Sequence, residues 1–332
     1  MTSSDLILKI EQLYGPALVS GRDDYELRAL SKSDYIENDI YTVHLEKTDS
    51  DNRLGWLIPF NALSSKEHKC SDNPHFENYV RVAAAFLKNG NQDLYDEDNH
   101  FLILNKKRLR SLDIDSVEQL VASIRKYGYQ WGENNKDVYR NPLLVSPRDK
   151  ETEPDKLIVV KSVNIQSIDD KYFFKLFYDY MPNQKDLYAR FLLIYQCIEL
   201  LVESQFVESV NQLIKKKNSL GSIREEISKK SKERSLINDL FSRAGLNKKL
   251  DSEELDLIKE MFGEHRSENY YSELLSAGMI YDIRNALVHS YHKYDLDHIF
   301  HKLVDKLEYY IVRLVEKIVR MGGFDMNVIG TR

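Results

Sequence analysis

The chain has 332 residues, of which 42% are hydrophobic and 30% are charged, with 13 glycines and 7 prolines. This composition argues against a fibrous or largely disordered protein, and the length predicts two folded domains, because domains most often run about 100 to 200 residues. No run of about 18 apolar residues occurs and the N-terminus lacks a basic flank, so we expect neither a membrane span nor a secretory leader. Cys70 and Cys197 lie too far apart in sequence to suggest a disulfide framework, which favours the cytoplasm.

The net charge of -6 is unevenly distributed along the chain. Residues 1–100 hold 10 basic and 18 acidic side chains, so the acidity is N-terminal. Residues 211–250 hold eleven basic and four acidic side chains, an excess that could attract the phosphates of a nucleic acid. The candidates for phosphate binding in this stretch are Lys215, Lys216, Lys217, Lys229 and Lys230. The alternative interpretation is an ordinary solvated helical surface.

Residues 1–165 are predicted to form a mixed α/β domain. Apolar spacing predicts helices over 5–14 and 76–88, and Ser116 with Gln119 resembles the capped start of a third helix that ends before Gly128. Alternating or wholly apolar runs predict strands at 41–46, 54–60, 101–104 and 157–160.

This first half carries no motif that names a chemistry. It has neither a P-loop nor a dinucleotide-binding glycine fingerprint. His68, Cys70 and His75 are metal-binding residue types, but they do not complete a four-ligand zinc set. The acidic residues in 93–98 lack the spacing and glycine of an EF-hand loop. We therefore expect no metal and no cofactor.

From about residue 170 the pattern becomes helical, and we expect a second domain over 170–325. Helices are predicted at 187–214, 221–244, 252–262 and 296–321. The whole chain is thus expected to have an α+β fold, with a mixed α/β N-terminal domain followed by an all-α helical bundle.

A segment at 281–292 gathers an arginine, a carboxamide and two histidines among aliphatic residues. The buried stripe of the predicted helix is formed by Ile280, Ile283, Leu287 and Tyr291. Asn285, His289 and His292 then share another face, and Arg284 borders it. An arginine supplies a permanent cation for phosphate, and a histidine exchanges protons near neutral pH. These are the parts needed to hold and cleave a phosphodiester.

The string Arg284-Asn285-x-x-x-His289 resembles the Arg-x(4 to 6)-His signature of the HEPN superfamily. Its setting, between a long helix beginning near Tyr188 and a closing helix directly downstream, is similar to that of the Apea-like branch. The resemblance covers only the C-terminal half of the chain. It implies a HEPN helical bundle with endoribonuclease activity, of the kind found in toxins and antiviral effectors. Some HEPN proteins also place a polar residue of the long helix opposite the motif, a position that Gln196 or Glu199 would fill here.

Metal-independent RNA cleavage can use the 2′-hydroxyl of the RNA as nucleophile. His289 suits the proton transfer and Arg284 the charge on the phosphorane, but one histidine cannot easily serve both ends of the reaction. The resemblance implies a homodimer in which two copies of the motif form one composite cleft. Asn285 would orient the phosphate or the histidine, with Tyr291, His292 and Glu199 as auxiliary residues.

Two other functions remain open from the sequence. The bundle could be a non-catalytic HEPN module that dimerises and binds RNA, a nucleotide or a protein partner. Alternatively, the N-terminal half could be the active part. In the preferred interpretation the RNA is single-stranded or tRNA, and an antitoxin or a phage-derived trigger binds the N-terminal domain.

Overall fold

The computed structural model divides the chain into two compact units, Met1–Val163 and Asn164–Arg332. Each unit is described by itself. The residues described are 3–32, 40–46, 52–89, 99–131, 139, 141–144, 157–162, 172–173, 175–215, 219–263, 266–289 and 298–318. The expected α+β organisation is confirmed, with a sheet and helices in the first unit and helices in the second.

The N-terminal unit is built on a six-stranded sheet. Its strands are β1 (Tyr25–Lys32), β2 (Tyr41–Leu45), β3 (Arg53–Pro59), β4 (His100–Asn105), β5 (Tyr129–Trp131) and β6 (Leu157–Val160). Their order across the sheet is β5-β1-β4-β3-β2-β6. Neighbouring strands are antiparallel except for β2 and β6, which run parallel.

Helices cover both faces of this sheet. They are α1 (Ser3–Tyr14), α2 (Pro74–Asn89), α3 (Lys106–Ser111) and α4 (Val121–Lys126). Because side chains alternate along a strand, Phe101 and Ile103 pack with α1 and α2, whereas Leu102 and Leu104 pack with α3 and α4. The unit therefore has two apolar layers, one on each side of the sheet.

The four predicted strands are present, but β1 and β5 were not anticipated. Strand β1 contains the charged residues Glu26, Arg28 and Lys32, so its sequence lacks the apolar pattern by which a strand is predicted. In the fold, Arg28 lies 2.7 Å from Glu26, and the buried ammonium of Lys32 lies 5.2 Å from the ring centroid of Tyr129 on β5. Because these side chains have charged or aromatic partners, they can lie in β1, an interior strand between β5 and β4.

The predicted cap at Ser116 was wrong. Its side chain makes no capping hydrogen bond, and the segment begins as a 3-10 helix over Val117–Leu120 before α4. Gln119 instead accepts a hydrogen bond on its side chain from the backbone of Asp115. The end of α4 is as expected, because Gly128 follows it with a φ of 82°, a conformation that favours glycine.

The described residues of the C-terminal unit form helices joined by short loops, with one isolated β-bridge between Lys249 and Leu275. Beyond a π-helical turn at Lys175–Tyr180, its main helices are α5 (Leu187–Lys215), α6 (Leu220–Lys230), α7 (Glu233–Arg243), α8 (Ser252–Phe262), α9 (Glu268–Glu273), α10 (Ser276–His289) and α11 (Phe300–Ile318). The single helix expected at 221–244 is two helices, α6 and α7. Helix α8 begins at Ser252, and the preceding Asp251 caps it in a reciprocal capping box with Glu254.

The long helix α5 is the centre of this bundle, since it contacts both α11 and α7, and α7 in turn contacts α10. A fully buried ion pair joins α5 to α11, with Arg190 Nη2 2.6 Å from Glu308 Oε2. Arg190 also donates hydrogen bonds to the carbonyl oxygens of Met181 and Gln184. This packing brings the middle of α5 and the start of α7 next to α10.

Candidate active site on helix α10

The start of α10 is fixed by hydrogen bonds to the loop after α7. The Ser276 hydroxyl donates to the carbonyl of Leu246 at 2.6 Å and accepts from the backbone N–H of Lys248 at 3.1 Å. Ile280, Ile283 and Leu287 are buried, as the helical spacing predicts. The face carrying the polar motif residues is therefore turned outward along a fixed helix.

Arg284 lies at the centre of a cluster formed with two other residues of its own helix. Its Nη1 donates a hydrogen bond to Asn285 Oδ1 at 3.0 Å and lies 3.3 Å from His289 Nε2. Because an arginine has only donors, a hydrogen bond to Nε2 requires the neutral imidazole with its proton on Nδ1. In this arrangement the basic lone pair of His289 is directed at the guanidinium, on the exposed side of the helix.

Two carboxylates from other helices lie within ion-pair distance of the same guanidinium. Glu233 Oε1, in the first turn of α7, lies 3.8 Å from Arg284 Nε, and Glu199 Oε1 of α5 lies 3.9 Å from Nη2. The ring of Tyr195, also on α5, lies under the guanidinium with its centroid 5.3 Å from Cζ, a cation–π geometry. The Arg284 side chain is only 20% exposed as a result.

Tyr195 connects these contacts, because its hydroxyl donates a 2.5 Å hydrogen bond to the same Glu233 oxygen that faces Arg284. Burial, followed by the hydrogen bond to Glu233, raises the pKa of the Tyr195 hydroxyl. The group therefore stays protonated and keeps donating at any physiological pH. The two residues that lie next to Arg284 on α5 and α7, Tyr195 and Glu233, are thus joined to each other by a hydrogen bond.

Glu199 is the more exposed of the two carboxylates, at 51% of its side chain against 38% for Glu233. Burial, although partial, raises its pKa; Arg284 acts in the opposite direction, and Glu233 adds to the increase. Glu199 is therefore the carboxylate near Arg284 that is more open to solvent.

The contacts among the described residues unite four of the predicted site residues, Arg284, Asn285, His289 and Glu199. Lys215 is exposed at the end of α5, and Lys229 and Lys230 end α6. No described contact joins Lys215 to Arg284. Four other candidates lie outside the described residues, namely Lys216, Lys217, Tyr291 and His292.

The sequence analysis did not find Tyr195 and Glu233. A signal existed for Tyr195, because it precedes Glu199 by four residues and must share its side of α5. Glu233 carried no comparable signal, since only the packing of α7 against α10 brings it to Arg284.

Neither a metal site nor a membrane span is found within the part of the chain that the structure describes. No group of three or more histidine, cysteine, aspartate or glutamate side chains there could hold a metal ion. No helix among those residues is both long and apolar enough to cross a membrane.

No protein-family model, curated protein or solved structure matches the chain. The resemblance to HEPN proteins therefore rests on the motif and its helical setting, and stays a prediction.

Proposed function

We propose that the protein is a metal-independent endoribonuclease of the HEPN type. The observation that carries this proposal is the grouping of Arg284, Asn285 and His289, with the guanidinium 3.3 Å from His289 Nε2 and 3.0 Å from Asn285 Oδ1. A cation beside a proton acceptor, on the outer face of a well-packed helix, is the minimum that phosphodiester cleavage by an internal nucleophile requires.

The proposed reaction is transesterification within the RNA. Once the substrate phosphate has drawn the guanidinium of Arg284 away from His289, the freed Nε2 removes the proton of a 2′-hydroxyl as that oxygen attacks the adjacent phosphorus, and Arg284 binds the charge that grows on the phosphorane oxygens. The bond from phosphorus to the 5′-oxygen then breaks, and that oxygen takes a proton from a second acid. The products are a 2′,3′-cyclic phosphate and a 5′-hydroxyl. Asn285 accepts from Arg284 through Oδ1, so its amide N–H groups remain to orient the phosphate.

The second acid in this scheme is His289 of another copy of the chain. Nucleophile and leaving group lie on opposite sides of the phosphorus in an in-line displacement, so one imidazole cannot easily serve as base at the 2′-oxygen and as acid at the departing 5′-oxygen. A homodimer with two motifs in one cleft supplies both, and exchange of protons with water restores the starting forms.

In this proposal the second unit is the effector of a toxin or antiviral system that acts in the cytoplasm. The first unit senses a trigger or restrains the nuclease, with an antitoxin or a phage product as its partner. It offers a cleft of about 560 Å³ whose polar lining includes Lys9, Asn61 and Lys66.

A non-catalytic HEPN module is the second candidate, and one observation favours it. Glu199 and Glu233 lie 3.9 and 3.8 Å from the Arg284 guanidinium, and an arginine between two carboxylates can serve to join α5, α7 and α10 instead of binding a phosphate. In that case the bundle would bind RNA, a nucleotide or a protein without cleaving anything.

The decisive experiment compares cells that express wild type, His289→Ala or His301→Ala at equal levels. His301 is an exposed histidine on α11 and serves as the matched control. We expect growth arrest and RNA fragments with 2′,3′-cyclic phosphate and 5′-hydroxyl ends in wild type and His301→Ala, but not in His289→Ala. Fragments of the same kind from His289→Ala would reject the proposed site. Intact RNA in all three strains and from the purified dimer would favour the non-catalytic module.

A further inference from the structure

We propose that Arg234 and Tyr281 form a binding subsite for one unpaired nucleotide of the RNA, next to the phosphate held by Arg284. The inference rests on the proposed function, because the adjacent cleavage site is part of that proposal. The contacts made by Arg234 and Tyr281 do not themselves depend on RNA cleavage. We call these two residues the stacking pair.

The stacking pair joins a side chain of α7 to a side chain of α10. The guanidinium of Arg234, from the first turn of α7, lies over the ring of Tyr281 with Cζ 5.7 Å from the ring centroid. The Arg234 side chain is 49% exposed, and Tyr281 is half-buried. Arginine planes and tyrosine rings are both surfaces on which unpaired bases stack.

Buried groups beneath the stacking pair hold it in place. Arg234 Nη2 lies 3.5 Å from Oδ2 of Asp282, a carboxylate that is 7% exposed. The same oxygen accepts a 2.7 Å hydrogen bond from the Tyr270 hydroxyl. Asp282 therefore fixes the position of Arg234 from below, while the arginine still has further N–H groups for a phosphate or a base.

The distance from the stacking pair to the cleavage site suits a neighbouring nucleotide. Tyr281 precedes Asn285 by four residues of one helix, which at ~1.5 Å per residue is about 6 Å along the axis. Arg234 directly follows Glu233, which contacts Arg284 from the same turn of α7. If a phosphate of an RNA strand binds at Arg284, the base or phosphate of the adjacent nucleotide would lie at Arg234 and Tyr281.

The stacking pair selects unpaired RNA over a duplex. A base can lie on an arginine or tyrosine plane only if its own face is free, whereas the bases of a duplex already stack on each other. Charge attraction by Arg234 would act on either form. The stacking contact is what distinguishes them.

The test measures binding of a fluorescent 12-nucleotide 2′-O-methyl oligoadenylate to the full-length protein by anisotropy. This probe lacks the nucleophilic hydroxyl, so binding is separated from cleavage. We expect Tyr281→Leu and Arg234→Gln each to weaken binding roughly tenfold, because each removes a planar group on which a base stacks. Tyr281→Phe and Arg234→Lys retain the ring and the ion pair respectively, and serve as variants that keep the fold. We expect Tyr281→Phe to bind like wild type and Arg234→Lys to bind less tightly, because lysine has no planar group.

The control is Arg22→Gln in the N-terminal unit. Arg22 has the same kinds of contact as Arg234, namely a carboxylate at 3.3 Å and an aromatic ring at 5.6 Å. Because Arg22 is not part of the proposed subsite, its substitution should leave binding of the probe unchanged. The subsite is rejected if folded Tyr281→Leu and Arg234→Gln proteins bind like wild type, if wild type does not bind the probe, or if a duplex competes equally well. Weakened binding in these variants together with intact natural RNA would support the subsite while rejecting the proposed catalysis.

Discussion

The hydroxyl of Tyr195 donates a 2.5 Å hydrogen bond to Glu233, and both residues contact Arg284, one through its ring and the other through its carboxylate. The three side chains belong to α5, α7 and α10. Glu233 lies in the first turn of its helix, where a negative charge is favoured. The orientation of the motif arginine is therefore set by the packing of three helices rather than by its own helix alone.

The first prediction concerns Tyr195→Phe. This change keeps the ring under Arg284 but releases Glu233 from its hydrogen bond, so the guanidinium is held less firmly. Under the proposed mechanism we expect kcat for RNA cleavage to fall several-fold with little change in KM, because the side chains proposed to bind RNA are unchanged. Steady-state kinetics on a short RNA substrate would measure both constants.

The matched control is Tyr310→Phe, which removes a hydrogen bond of 2.7 Å to Glu254 elsewhere in the bundle. It should lower stability without reducing kcat in the folded protein. Equal losses of kcat in the two variants would indicate a general effect of destabilisation and would reject a positioning role for Tyr195.

Glu199→Gln is predicted to strengthen binding of the RNA probe. The substitution removes the exposed charge with which a phosphate must compete at Arg284, and interactions of this kind contribute less than about 1 kcal/mol, or roughly two- to fivefold in affinity. Anisotropy titration at low and high salt would measure the effect, which should shrink as salt screens the charge.

Glu203→Gln, one turn further along α5 and also exposed, is the control for Glu199→Gln because it changes net charge by the same amount. If both substitutions raised affinity equally, the effect would come from net charge and not from the contact with Arg284.

Glu199→Gln should not reduce stability at neutral pH. Burial raises the pKa of this carboxyl in the folded state, so its favourable contribution is present at low pH and is lost as pH rises through the folded pKa. The glutamine side chain does not ionise, so the variant does not lose stability as pH rises in this way. A marked fall in the melting temperature of the variant at pH 7 would show that the contact with Arg284 outweighs burial.

The buried pair of Arg190 and Glu308 gives a prediction about stability. Both side chains are fully buried, so Glu308→Gln leaves a buried cation with a neutral partner and should destabilise the C-terminal unit by about 3 to 5 kcal/mol. Replacing both residues, as in Arg190→Met with Glu308→Leu, should cost less than the sum of the two single changes. Denaturant unfolding of the four proteins would measure this coupling.

Glu268→Gln provides the comparison for Glu308→Gln, because its 3.4 Å ion pair with Lys259 lies on the surface. It should change the free energy of unfolding by less than about 0.5 kcal/mol. A similarly small effect of Glu308→Gln would contradict the assigned role of the buried pair.

The fourth prediction is a pH dependence of the N-terminal unit. Burial lowers the pKa of His68 below its ordinary value of 6.5, and its ring packs edge-on to Phe76 with centroids 4.9 Å apart. The folded unit therefore binds this proton less readily than the unfolded chain. The stability that His68 contributes is present above about pH 6.5 and is lost as pH falls through its folded pKa.

Melting temperatures between pH 7.5 and 5 would test the prediction for His68. His68→Gln should reduce the decline towards low pH, whereas substitution of the exposed His75 by glutamine should leave it unchanged. An identical decline in wild type and His68→Gln would assign the pH dependence to other groups.

Local periodicity predicted most of the elements and part of the site. The steps between Ile280, Ile283 and Leu287 identify the buried side of a helix, and that side leaves Arg284, Asn285 and His289 on the remaining surface. The same reasoning located α1, α2 and α5, because each has an uninterrupted apolar stripe. It missed β1, whose charged residues find their partners only after the strand lies in the sheet.

The sequence by itself determined the α+β organisation, the position of the helical half and the neighbourhood of Arg284, Asn285 and His289, because these depend on contacts within a few residues of one helix. Only the tertiary structure decided that Tyr195 and Glu233 join Glu199 next to Arg284 and that Arg234 lies over Tyr281. Glu233 and Arg284 are joined by the relative positions of α7 and α10, and those positions are fixed by side chains packed across the whole bundle. Helical periodicity describes one helix at a time, so it carries no information about which residues of two packed helices will meet.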